Sequence, residues 1–165
     1  MGTTRTAVLI RLAKEIAEAT PNFQTVKGAG DGDRATAAFM LALRGRAIDE
    51  FGHDFSESKV CGDTAFAVDF YFPDEATIVE VALGLPNPQS EFEKDILKAI
   101  MARESGHAVS RLVFVSRAGA VKKCQQPGRS AIRSWAKHKH DLSVEVHELP
   151  GEPRHRKRKP KPHSQ

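Results

Sequence analysis

The chain has two cysteines in 165 residues, one tryptophan, one tyrosine, and no apolar run near the length of a membrane span. Two cysteines cannot form a disulfide scaffold, and no Cys/His pairs at ligand spacing form a zinc finger. The N-terminus has no charged-then-apolar leader, so the sequence reads as lacking a secretory signal and a membrane span, with a reducing cytoplasm as the expected setting. Hydrophobic residues make up 40% of the chain, low but above a disordered composition. This length suits one core.

Charge is segregated along the sequence. Of the net +4, residues 150–165 contribute six basic side chains against Glu152, leaving the first 149 residues near neutral. Residues 31–95 carry five basic and fourteen acidic side chains, and residues 103–140 carry nine basic and one acidic. A basic surface suits a polyanion and a local acid cluster suits a divalent cation, although two solvated faces of ordinary sign give the same pattern.

Apolar spacing predicts helices over 4–19 and 34–51, the second capped by Asp33 and ended by Gly52. AFAVDFYF (65–72) and TIVEVALG (77–84) read as a hairpin around the turn PDEA, with Phe66, Val68, Phe70 and Phe72 on one face. A helix follows from Ser90 to about Glu104, its SEFE read as a capping box closed by Glu93. RLVFVSR (111–117), a helix from Ser130 through Ile132 and Trp135, and LSVEVHEL (142–149) complete the set; the spacing of Trp135 from Ile132 reads as core. The order α-α-β-β-α-β-α-β implies an α/β fold, a mixed sheet with helices on both faces. One domain is expected over 1–149, with an N-terminal helix and loop in 1–30. Residues 150–165, basic and interrupted by proline, form an expected disordered tail.

The hairpin carries the chemistry. A four-residue loop at 73–76 pairs Phe72 with Thr77 and sets Asp69 directly opposite Glu80. Opposed residues have Cβ atoms about 5 Å apart, so two carboxylates there repel unless something compensates. A hard divalent cation with oxygen ligands is the natural compensation. An ordinary acid-bearing hairpin is the competing reading, and the pairing requires this register, since a loop one residue longer breaks it.

Asp69, then Glu80-Val81-Ala82, the bend Pro86-Asn87-Pro88, the helix EFEKDILKA with its Lys94-Asp95 pair, and the strand LVFVSR together resemble the core of the restriction endonuclease-like PD-(D/E)xK nuclease superfamily. The nearest pattern is that of the BamHI and BglII restriction enzymes, where the second motif is Glu-x-Glu or Glu-x-Gln. The resemblance spans about residues 34–149. It implies a divalent-metal-dependent endonuclease cutting DNA, of restriction or repair kind, with Asp69 bridging one or two Mg²⁺ (or Mn²⁺) ions and Glu80 as second ligand. An acid from the preceding helix often joins such a site, and Glu50 is the expected one, ahead of Asp49. The sequence departs from the pattern at Ala82, where the superfamily has Lys, Glu or Gln. Lys94 is the expected replacement, with Glu91 as another supplier and Lys98 one turn further on the same helix face.

Arg117, Lys122, Lys123, Arg129 and Arg133 are the expected phosphate contacts on duplex DNA, and Gln125, with Gln126, can reach base edges. Cutting two strands is most simply done by two symmetric sites, which makes a homodimer the natural assembly. The alternative is a catalytically inactive nucleic-acid-binding module on the same fold. A third reading is an interaction protein whose two charged stretches meet a protein partner.

Overall fold

The computed structural model describes residues 2–25, 30–88 and 90–151. The chain runs α1 (Arg5–Ala19), α2 (Asp31–Phe51), β1 (Ser56–Ser58), β2 (Val68–Phe72), a 3₁₀ turn (Pro73–Glu75), β3 (Thr77–Val81), α3 (Phe92–Glu104), β4 (Arg111–Ser116), α4 (Ala120–Cys124), α5 (Pro127–His140) and β5 (Ser143–Glu148). The expected mixed α/β architecture is present, with β1 and α4 added to the elements read from sequence. The basic tail expected over 150–165 lies almost wholly outside the described residues. Among those described, no helix is long and apolar enough to cross a membrane.

Local chemistry sets the element ends. Thr4 caps α1, its hydroxyl accepting from the Ala7 N–H at 3.1 Å. Gly52 ends α2 in the left-handed conformation (φ 65°), its N–H donating to Ile48. Two expected caps do not form. α2 begins at Asp31 after Gly30, ahead of Asp33. The SEFE box is absent because the Ser90 hydroxyl is taken by Arg129, and α3 starts after Glu91 with no side-chain cap.

The five strands lie in the order β1-β2-β3-β4-β5. The first three form an antiparallel meander, and β3, β4 and β5 are parallel. The hairpin register is the one read from sequence: Phe72 pairs with Thr77, Tyr71 with Ile78 and Phe70 with Val79. Both faces of the sheet are covered. α1 and α2 pack Leu9, Leu12, Phe39 and Leu43 onto Phe70, Phe72, Val79 and Val113. On the other side Phe92, Ile96 and Ala99 of α3 meet Tyr71, Ile78, Leu112 and Phe114. The Phe face is shorter than expected: β2 begins at Val68, and Phe66 and Val68 belong to the α3-side cluster. Strand alternation puts Glu80, like Ile78, on the α3 side of the sheet.

Candidate active site

The antiparallel and parallel halves of the sheet share β3, and the site lies where β3 ends. Asp69 on β2 accepts the Val81 N–H through Oδ2 at 2.8 Å, so its carboxylate is anchored to the strand that carries Glu80. Glu80 is 3% exposed, because α3 lies over the face it occupies. α3 is amphipathic with an unusual inner stripe: Glu91, Asp95 and Lys98, spaced to share one face, all line the same cavity of about 390 Å³ together with Asp69, Glu80 and Ala82.

Lys98 occupies the centre. Its ammonium lies 2.7 Å from Glu80 Oε1 and 3.0 Å from Asp95 Oδ1, and donates to the Ala67 carbonyl at 3.0 Å. The Glu80 contact is an ion pair off the line of a hydrogen bond, and Glu80 Oε1 accepts no hydrogen bond among the described residues. Three carboxylates against one ammonium leave a formal charge of −2 in a largely buried site. Burial, then Asp69 and Asp95, push the Glu80 carboxyl up to about 9 against the pull of Lys98. Burial likewise lifts Asp95 to about 6, opposed chiefly by Lys98. For Lys98, burial disfavours the ammonium, but Glu80 and Asp95 outweigh it and hold the amine charged. The site therefore keeps its ammonium and retains a proton on a carboxyl at neutral pH.

The bend after β3 forms one wall. Leu85, Asn87 and Ser90 line the cavity, and all three are held by Arg129 of α5. Its guanidinium donates to the Leu85 carbonyl at 2.5 Å, to the Asn87 carbonyl at 3.0 Å and to the Ser90 hydroxyl at 2.5 Å, and lies over the Phe92 ring at 5.0 Å.

Several sequence-derived candidates fall elsewhere. Lys94 is exposed, pairs with Glu91 at 3.1 Å and points over Phe66, so Lys98 and not Lys94 enters the cavity. Glu50 is half-exposed near the end of α2, 3.6 Å from Arg11, and does not line the cavity; Asp49 is exposed. Arg129, expected to clamp phosphate, is 8% exposed and bonded within the chain. Arg133 donates to the Val144 carbonyl, and Arg117 donates to the Phe23 carbonyl and covers its ring. Lys122 and Gln125 are exposed and Lys123 half-buried, on and just after α4, beyond the end of β4. Asp95 and the central position of Lys98 were missed as site features. Their signal is two charges spaced among Phe92, Ile96, Ala99 and Ala102 on the buried side of α3.

Among the described residues, no three His, Cys, Asp or Glu side chains converge as a ready-made cation cage. No protein-family model, curated protein or solved structure matches the chain.

Proposed function

We propose that the chain is a divalent-metal-dependent endonuclease that hydrolyses DNA phosphodiester bonds, with Asp69 and Glu80 as the cation ligands and Lys98 as the group that replaces the residue missing at Ala82. The observation that carries this reading is the placement of Lys98 Nζ, 2.7 Å from Glu80 in the cavity that Asp69 also lines. The donor set suits Mg²⁺ or Mn²⁺: hard carboxylate oxygens, an excess of negative charge, and a buried Glu80 oxygen with no hydrogen-bond donor. Mg²⁺ commonly takes one or two carboxylates and fills its remaining positions with water and phosphate, so a complete protein cage is not required. Bound there, such an ion polarises a phosphate and acidifies water.

The chain's own residues supply the rest. The Asp69 carboxylate is oriented by the Val81 N–H, and Glu80 by the Lys98 ammonium. Lys98 is a fixed positive charge for a phosphate oxygen and a proton source for the leaving oxygen. Lys122, Lys123 and Gln125, outside the cavity, are the remaining candidates for backbone and base contacts, with Arg117 and Arg133 at the margins.

One observation favours a second reading. Lys98 already meets three oxygens (Glu80, Asp95 and Ala67), so the ammonium can stand in for a cation in a nucleic-acid-binding module that does not cut. Plasmid nicking separates the two. The nuclease reading expects Mg²⁺- or Mn²⁺-dependent nicking, abolished by EDTA and by Asp69→Ala, and strongly reduced by Lys98→Met. A salt-sensitive gel shift with no cleavage under any divalent ion supports the binding module. Metal-independent cleavage, or cleavage unchanged in Asp69→Ala, refutes the proposed site.

A further inference from the structure

α3 and α5 lie side by side on the outer layer of the parallel half of the sheet. Each connects two parallel strands, α3 from β3 to β4 and α5 from β4 to β5, so the two helices run in the same direction. The outer seam between them is an apolar groove of about 260 Å³ formed by Ile96, Leu97, Ile100, Ile132 and Trp135, with Glu93 at one end. Leu97 is 49% exposed and Trp135 48% exposed, two of the few large apolar side chains left open to solvent. Leaving an indole and an isobutyl group half-covered beside a groove forgoes burial that each supplies elsewhere in a core.

We infer that this seam is the contact surface for a second copy of the chain, in a two-fold dimer built from α3 and α5. The sequence of the two helices is complementary to itself. A two-fold axis across the groove turns the partner's helices antiparallel to these. With α3 laid against α5 in that sense, Leu97 meets the partner's Trp135, Ile100 meets the partner's Ile132, and Glu93 meets the partner's Lys139. Each of these contacts occurs twice, as isologous symmetry requires. Both Glu93 and Lys139 are exposed, at the rim where charge selects partner and register. The indole then occupies the centre of the contact, where aromatic anchors dominate interface energies. The chain's own C-terminal segment is a poor occupant, since residues 152–165 contain no Leu, Ile, Val, Phe or Met to fill an apolar groove. The surface is on the opposite side of α3 from Asp95 and Lys98, and the inference does not depend on the chemistry assigned to them.

Trp135 is the chain's only tryptophan, so its emission reports directly on the contact. Sedimentation of the full chain over a dilution series is expected to show a monomer–dimer equilibrium, with tryptophan emission shifting to the red as the dimer dissociates. Leu97→Asp, at an exposed position, is expected to give a monomer with an unchanged far-ultraviolet circular dichroism spectrum. Glu93→Lys is expected to weaken the dimer roughly tenfold at low salt, because two rim pairs become repulsive. Adding Lys139→Glu restores it, a rescue that a merely structural role for either residue does not produce. A chain that stays monomeric at the highest concentration it tolerates overturns the inference. So does a dimer indifferent to Leu97→Asp, or a charge swap without rescue.

Discussion

The Lys98 ammonium and the Glu80 carboxylate meet at 2.7 Å with both side chains less than a tenth exposed, and they come from different elements, one from α3 and one from β3. Neither has enough water to keep its charge alone. Each sets the other's protonation, and a second carboxylate, Asp95, shares the same ammonium at 3.0 Å.

Removing the ammonium strands two buried acids. Lys98→Met is expected to cost about 3 kcal/mol of stability at pH 8. The cost shrinks toward pH 5, because Glu80 and Asp95, pushed up by burial to about 9 and about 6, then carry their protons and need no partner. Urea unfolding at the two pH values measures this, and an equal loss at both contradicts the account.

The same shift fixes the sign of a metal effect. Glu80 ionises near 4.5 in an unfolded chain and near 9 when folded, so between those values the folded state holds an extra proton and its advantage falls as pH rises. A cation binding at Glu80 must displace that proton. Mg²⁺ is therefore expected to raise the melting temperature more at pH 8 than at pH 6, and Glu80→Gln should remove the difference. Thermal melts with and without Mg²⁺ supply the comparison, and a Mg²⁺ effect that ignores pH counts against Glu80 as a ligand.

Arg129 holds the bend at 85–90 through three hydrogen bonds. Arg129→Met is expected to destabilise the fold by about 3 kcal/mol, since it leaves two carbonyls and a hydroxyl without their donor. Arg129→Lys should recover little, because one ammonium cannot reproduce a planar fork. Hydrogen exchange at residues 84–90 should accelerate more than exchange in β4, and uniform acceleration would show that the bend has no special dependence on this side chain.

Gly45 sits inside α2, and a β-carbon there would meet nothing within 4 Å. Gly45→Ala is expected to stabilise the chain by about 0.5–1 kcal/mol through lost unfolded-state freedom and higher helix propensity. A denaturation midpoint that moves down would reveal a contact at this position that the monomer lacks.

The hairpin was readable because β-branched and aromatic runs flank a turn containing proline, and that one turn length fixes the register of every following pair. The helices around it were readable from apolar spacing. β1 was not: Ser-Glu-Ser has no alternation, and the strand exists because the edge of β2 offers it hydrogen bonds. Lys94 and Lys98 are one helical turn apart on α3, and composition does not distinguish them. The tilt of α3 over β3 decides, turning Lys98 to Glu80 while Lys94 stays in solvent beside Glu91. The capping box failed for a similar reason. Its serine had a stronger suitor in Arg129, nearly forty residues away in sequence and invisible to a local pattern. Trp135 failed as core because α5 lies at the outside of its layer, and its indole projects toward solvent next to His140.

Arg129 also imposes an order of events. Asp69, Glu80, Asp95 and Lys98 are all in the chain by residue 98, and on a ribosome they emerge together. The guanidinium that fixes the wall beside them arrives thirty-one residues later, on a helix that must first find the far side of β4. A nascent chain thus acquires the charges of its site well before it acquires the shape of it, and the cavity closes only when the second crossover docks.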